Sequence, residues 1–255
     1  LVFGLGRGAS ALGTPFGWLA GLEIVRSRGD GSLSLEVISV AMVFALLVVS
    51  MLVLNDRLIG DALRPEERPS GRAAGMAAAI GASEAGHRVV LYEKNEKLGK
   101  KLYITGKGRC NVTNACDTEE LFSHMVTNGK FLYSAVYGFS NFDMMGLLED
   151  CGCPLKTERG NRVFPVSDKS SDVIFALEQR LREQNVTVYL NEPVRELLLS
   201  DGKCSGVVLE KGNKHVTADA VIVATGGLSY PATGSTGDGY RFARAAGHTV
   251  TALSP

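Results

Sequence analysis

From Arg72 onward, short apolar runs alternate with helical stretches, and that rhythm restricts this part of the chain to an α/β architecture. Ala73 to Ala85 reads as a helix ended by Gly86, Arg88 to Glu93 as a buried strand, and Ser171 to Gln184 as an amphipathic helix. In that last helix Val173, Ile174, Leu177 and Leu181 fall on one face. Val186 to Leu190, Val194 to Leu199 and Cys204 to Glu210 read as strands, the last two joined by the turn Asp201-Gly202. Ala220 to Ala224 is a final apolar strand running straight into Thr225-Gly226-Gly227. Hydrophobic residues make up 45% of the 255, enough for a substantial core.

The text before Arg72 is of another kind. Residues 1–36, rich in Gly, Ala and Ser without a sustained period, are expected to be poorly structured. Val37 to Leu54 carries no charge over nearly a bilayer-spanning length and is a candidate transmembrane helix, the alternative being a buried core element. It has no following small-residue cleavage site, which argues against a signal peptide. Residues 55–70 form a polar linker containing Pro65 and Pro69. The domain proper is expected over residues 71–250.

Lys plus Arg and Asp plus Glu number 27 each, so overall charge points to neither nucleic acid nor an acidic partner. The five cysteines lack zinc-site or disulfide-framework spacing, and Cys151-Gly152-Cys153 has no further ligand nearby, so no metal is expected. No Ser/His/Asp or Cys/His arrangement stands out among four scattered histidines, so catalytic residues are unknown.

Glycines cluster over residues 71–86, 99–108 and 226–239, where backbone would approach a ligand closely. A dinucleotide fold sets a pyrophosphate at a helix N-terminus behind Gly-x-Gly-x-x-Gly. Aligned on Gly75, Ser70 and Arg72 stand where the first two glycines belong. Glu93 closes the following strand about 20 residues on, where an acid would accept hydrogen bonds from the adenosine ribose hydroxyls. The bland alternative is a solvated strand-end glutamate.

LYEKNEKLGKKLYITGKGRCNVTN (Leu91 to Asn114) is followed by Thr127 to Leu132, Glu158 to Ser167 and ATGGLSYPATGSTGDGY (Ala224 to Tyr240). These blocks, in this order, resemble the bacterial NAD(P)/FAD-dependent oxidoreductases of the BaiN or aminoacetone-oxidase-like type, and the resemblance runs from Arg72 to Pro255. It implies an incomplete FAD-binding Rossmann-like (glutathione-reductase-type) domain. FAD would be the cofactor, NAD(P)H the electron donor and a small molecule the acceptor, in a cytoplasmic enzyme unless Val37 to Leu54 inserts in a membrane. By the family pattern Gly71, Ala73, Ala74 and Gly75 lie against the pyrophosphate, with Glu93 on the ribose and Lys94 beside it. Gly106 and Gly108 let a loop pass close to the cofactor, Lys101 and Arg109 supply cations for phosphate, and Asn111 supplies a neutral partner. Val194 meets the adenine edge; Ala224, Thr225, Gly226, Gly227, Gly234, Ser235, Asp238 and Gly239 form the wall at the sheet's carboxyl edge.

Two departures stand out. Family members begin with an apolar strand leading into the glycine loop, whereas Leu63-Arg64-Pro65-Glu66-Glu67-Arg68-Pro69 cannot be the centre of a buried sheet, and Arg72 replaces a glycine. Read in another frame, codons for Arg68 to Arg72 can spell Ala-Val-Gly-Ala-Gly, so a frame change would account for both. Residues 251–255 correspond to the start of an inserted domain in the family. The alternative function is a non-catalytic, membrane-tethered remnant with a broken flavin fold.

Overall fold

The computed structural model describes residues 2–6, 72–125, 129–200, 202–228, 231–250 and 252. The candidate membrane segment, residues 37–54, and the linker, 55–70, lie outside the described residues; among those described, no helix is long and apolar enough to cross a membrane.

A four-stranded sheet carries the architecture. Strand β1 (Val2–Gly6) lies between β2 (Arg88–Tyr92) and β10 (Val221–Val223), and β6 (Thr187–Tyr189) flanks β2. The strands β2 and β6 are parallel, and β1 is antiparallel to both β2 and β10, so β2, β6 and β10 all point the same way. Val2 pairs with both Tyr92 and Val223, which sets the ends of β2 and β10 level at one edge. That shared carboxyl edge is where ligands sit in open α/β sheets.

The expectation that residues 1–36 lack structure is therefore corrected for Val2–Gly6. With residues 64–69 unsuited to a buried strand, two parallel strands remain one position apart, each with an unpaired row of backbone groups. A short apolar segment from far along the chain satisfies both rows. Its direction matters: Gly6 lies level with Arg88, at the edge opposite the ligand side, and residues 7–71 separate it from the helix that a dinucleotide fold would join to it by a tight loop.

That helix, α1 (Arg72–Glu84), is almost entirely buried, with Met76, Ala79 and Ile80 at 0–1% exposure, because alanine and glycine let it pack against β2 on one side and another helix on the other. It stops where predicted, in the Ala85-Gly86 turn with Gly86 at φ 85°, its amide donating to the Ser83 carbonyl. After α2 (Thr118–Ser123), α3 (Tyr133–Gly138) and α4 (Asn141–Asp150) comes the partner helix, α5 (Ser170–Glu183), which presents the predicted apolar face, with Val173, Ile174, Leu177 and Leu181 buried. Arg180 of α5 donates to the buried Glu84 at 2.5 and 2.9 Å and so ties the two helices at their ends. Burial raises the Glu84 carboxyl above its ordinary value, and Arg180 opposes that rise.

Two smaller sheets complete the described fold. Strands β7 (Val194–Ser200) and β8 (Lys203–Leu209) form the hairpin expected around Gly202, extended by β9 (His215–Thr217). The other sheet, β3 (Thr113–Asn114), β4 (Leu155–Glu158) and β5 (Arg162–Pro165), was not foreseen. Its hairpin turns at Gly160 and Asn161, both at positive φ, a short connection of the kind that favours Asn and Gly.

Candidate functional site

At the carboxyl edge of the main sheet lies a cavity of about 300 Å³ whose lining includes Glu93, Lys94, Glu192, Val194, Glu210, Thr225, Asp238 and Arg241. The fold thus brings Glu93, Lys94, Val194, Thr225 and Asp238 of the predicted set to one place. The register explains it: β2 ends into Glu93 and Lys94, and β10 ends into Ala224 and Thr225 at the same level.

Glu93 is not a solvated strand end. It is 3% exposed, its amide donates to the Tyr189 carbonyl at 2.9 Å, and its own carbonyl accepts from the Glu192 amide at 3.0 Å. Its Oε1 accepts from the backbone amide of Asn95 at 2.9 Å and from Asn95 Nδ2 at 2.7 Å. Among the described residues Oε2 has no hydrogen-bond partner. The carboxylate is anchored by one oxygen while the other remains available to a donor, and Val194 follows two residues after Glu192 on the adjoining wall.

The opposite wall is built by glycine geometry. Gly237 at φ 78° starts helix α6 (Asp238–Ala245), and its amide donates to the Gly227 carbonyl at 3.1 Å. A Cβ on Gly239 would lie 3.0 Å from Thr225 Oγ1, a contact tight enough to shift that hydroxyl, so glycine lets α6 approach the end of β10 without displacing it. Thr225 Oγ1 is buried and has no partner among the described residues. An orphaned hydroxyl in the wall of a cavity is the kind of group a ligand satisfies. Asp238 holds Lys94 Nζ at 2.7 Å, and Thr236 Oγ1 accepts from the same ammonium at 2.6 Å, so the two walls are joined. Burial tends to raise the Asp238 carboxyl, but hydrogen bonds from Lys94 and Thr236 hold it below the ordinary value. Gly234 turns at φ 88°, and Ser235 is fully buried beside it.

The remaining predicted residues lie elsewhere. Ala74 and Gly75 are buried at the start of α1; Ala73 lies in that helix, and Gly71 lies outside the described residues. The loop around Gly106 and Gly108 has positive φ at both glycines and at Lys107 and Cys110, and a Cβ on Gly106 would lie 3.0 Å from the Asn111 amide. Asn111 is buried, and Lys101 is 2% exposed, which excludes the solvated surface charge as its explanation. Arg109 donates to Glu158 and Asp168, both at 2.5 Å, and its guanidinium lies 4.1 Å from the centre of the Phe164 ring. Bonding to Arg109 holds Glu158 below its ordinary value; Lys156 first, then Arg109, does the same for Asp168. Arg109 is thus engaged by two carboxylates, and none of this loop lines the cavity described above. Sequence reading missed Glu192, Glu210 and Arg241 as cavity residues; the Glu192-Pro193-Val194 step after β6 is the local signal that could have drawn attention to the first.

The Cys110 thiol is fully buried, and burial pushes it up to about 12 from 9.0. Burial likewise pushes Cys153 up to about 11. At neutral pH Cys110 therefore holds roughly a thousandfold less thiolate than an ordinary thiol. Brief alkylation of the native protein, read by mass spectrometry, should label the half-exposed Cys204 and spare Cys110 and Cys153 until denaturant is added. Rapid labelling of Cys110 would contradict this burial. Among the described residues no cluster of His, Cys, Asp or Glu could hold a metal ion.

A mixed sheet in which β2, β6 and β10 point the same way, packed against the buried helix α1 and with a cavity at the carboxyl edge of those strands, makes a Rossmann-like α/β domain. Residues 70–254 match the HI0933-like protein Rossmann domain, and the chain belongs to that family of BaiN-like, FAD-binding oxidoreductases. It is 34% identical over 187 residues to a 3-dehydro-bile acid delta(4,6)-reductase of Clostridium scindens, covering 72% of this chain and 44% of that protein. It is 30% identical over 178 residues to a ribosomal RNA dihydrouridine synthase of Escherichia coli, covering 70% of this chain and 43% of the relative. The Haemophilus influenzae ribosomal RNA dihydrouridine synthase is 27% identical over 180 residues, 70% of this chain and 44% of its own. The chain spans less than half the length of these curated relatives.

Proposed function

We propose that this chain binds FAD through the carboxyl edge of its main sheet and belongs to an enzyme that moves a hydride or electrons from NAD(P)H through the flavin to a small-molecule acceptor. The observation that carries the reading is the convergence of Glu93, Lys94, Val194, Thr225 and Asp238 on one cavity, where Thr225 Oγ1 is buried without a partner among the described residues and the Glu93 carboxylate is held through Oε1 by Asn95. Glu93 would take the ribose hydroxyls, Val194 would lie along the adenine, and Thr225, Gly226 and Gly227 would border the nucleotide together with Gly239 and Asp238. Ala73, Ala74 and Gly75, at the start of α1, would offer helix N-terminal amides to the pyrophosphate. The flavin, when bound, supplies the redox chemistry, while the chain binds and orients it.

The loop from Gly106 to Asn111 would border the cofactor elsewhere, with Arg109 held rigid by Glu158 and Asp168 rather than acting as an open phosphate cation. Lys101, being buried, would stand inside the fold rather than at its surface. The relatives' names carry unlike substrates, a bile acid and ribosomal RNA, so the acceptor is not transferred from them. The remnant reading is not favoured, since the family match covers the chain from residue 70 and the predicted wall residues meet at one cavity.

The test is a spectrum. The purified full chain, mixed with FAD and passed over a desalting column, should stay yellow, show flavin absorbance bands and quench flavin fluorescence on titration. A colourless protein that leaves FAD fluorescence unchanged would overturn the reading.

A further inference from the structure

The pairing of β2 and β10 through β1 reaches the level of Tyr92, Val2 and Val223, and both Glu93–Asn95 and Ala224–Thr225 lie past that level. Beyond it, side chains join the two sides. Lys94 Nζ donates to Asp238 Oδ2 at 2.7 Å and to Thr236 Oγ1 at 2.6 Å, and Thr236 Oγ1 donates in turn to Asp238 Oδ2 at 3.0 Å. A weaker tie lies one residue along, where Asn95 Nδ2, which donates to Glu93 Oε1 at 2.7 Å, also reaches the Thr233 carbonyl at 3.4 Å.

The ends of the Lys94–Asp238 bond are each one residue from a group that faces the cavity. Lys94 directly follows the buried Glu93. Asp238 directly precedes Gly239, whose backbone sits so close to Thr225 that a Cβ there would lie 3.0 Å from its Oγ1. A change in the length of this one bond therefore moves Glu93 and Thr225 relative to each other.

Two of the three donors of the Lys94 ammonium are engaged inside the chain, so its charge is already met by Asp238. The two side chains are 28% and 25% exposed, and an ion pair this accessible adds little to folding. Its effect falls on geometry instead.

Building on the FAD reading above, we propose that Lys94 and Asp238 are positioning residues: their bond is a brace that sets the spacing between Glu93 and Thr225, and Lys94 is not a cation for the cofactor's phosphates. The cavity then receives the uncharged nucleoside end of the ligand, held between Glu93 on one wall and Thr225 on the other.

The test is flavin fluorescence titration of the full chain with FAD, at a temperature where melting curves show every variant folded, so that a loss of stability alone leaves the affinity unchanged. Lys94→Met and Asp238→Asn should each weaken FAD about tenfold, and the double variant should be no weaker than either, because both exchanges remove the same bond. Thr236→Val, which alters no charge and lies at an exposed position, should weaken FAD about threefold and keeps the test open if a charge exchange prevents folding. A Lys94 that served the phosphates would respond in the opposite sense to losing its partners. Tighter or unchanged FAD binding in Asp238→Asn and Thr236→Val, with weaker binding in Lys94→Met, overturns the brace in favour of a direct phosphate contact. Losses that multiply in the double variant, or unchanged affinity in all of them, overturn it as well. Failure of the unaltered chain to bind FAD overturns the FAD reading itself, and this inference with it.

Discussion

Glu93→Ala is expected to weaken FAD binding by about a hundredfold. A charge-assisted hydrogen bond contributes roughly 1.5 to 3 kcal/mol, and the ribose diol would lose its anionic acceptor. The wall would also loosen, because Glu93 Oε1 holds both the amide and the side chain of Asn95. Glu93→Gln separates the two effects. Its amide oxygen can keep the Asn95 bonds and its nitrogen can still meet a ribose oxygen, but the negative charge is gone, so a loss of about tenfold is expected. Flavin fluorescence titration of the two variants, with thermal melting as a check on folding, provides the measurement. An alanine variant with unchanged affinity would remove Glu93 from the nucleotide site, together with the alignment of the glycine loop on Gly75.

The second large effect is expected from Phe3→Pro. Strand β1 has neighbours on both sides, with Phe3 opposite Leu91 on one and Ile222 on the other. Proline there deletes an amide from the ladder and leaves a buried carbonyl unpaired, and strand interiors flanked on both sides do not accept it. The cost is about 3 kcal/mol, which in a domain of this size lowers the melting midpoint by roughly 6 to 12 °C. FAD binding should fall with it, because pairing to β1 is what sets Tyr92 level with Val223 and so brings Glu93 and Thr225 to the same cavity. Phe3→Val keeps every backbone bond and should retain most of the stability. If the proline variant melted and bound flavin like the parent, Val2–Gly6 would not be the strand that fills the sheet.

Much of the local architecture was legible along the chain, because it depends on near neighbours in sequence. The apolar spacing of Val173, Ile174, Leu177 and Leu181 defined one face of a helix, and that face is the buried one. Gly86 and Gly202 marked a helix end and a hairpin, since both need a positive φ that side chains resist. The acid at the end of the second strand was also apparent, and of the residues expected to follow the last strand Thr225 and Asp238 line the cavity.

What required the tertiary structure was the partner of each group across long stretches of sequence. That residues 64–69 could not supply the central strand followed from their prolines and charges, but that Val2–Gly6 takes the place, and runs backwards, depends on a pairing whose partners lie some two hundred residues apart in one case. Arg109 looked like a phosphate ligand as long as Glu158 and Asp168 were merely distant letters; folded, they hold it. Lys101 and Glu93 each had a solvated alternative that only burial removes. The β3-β5-β4 sheet went unread because its strands are too short for a period to emerge. Periodicity and turn chemistry are written locally, whereas the choice of sheet neighbour and the neutralisation of a buried charge are decided by contacts that exist only once the chain has closed on itself.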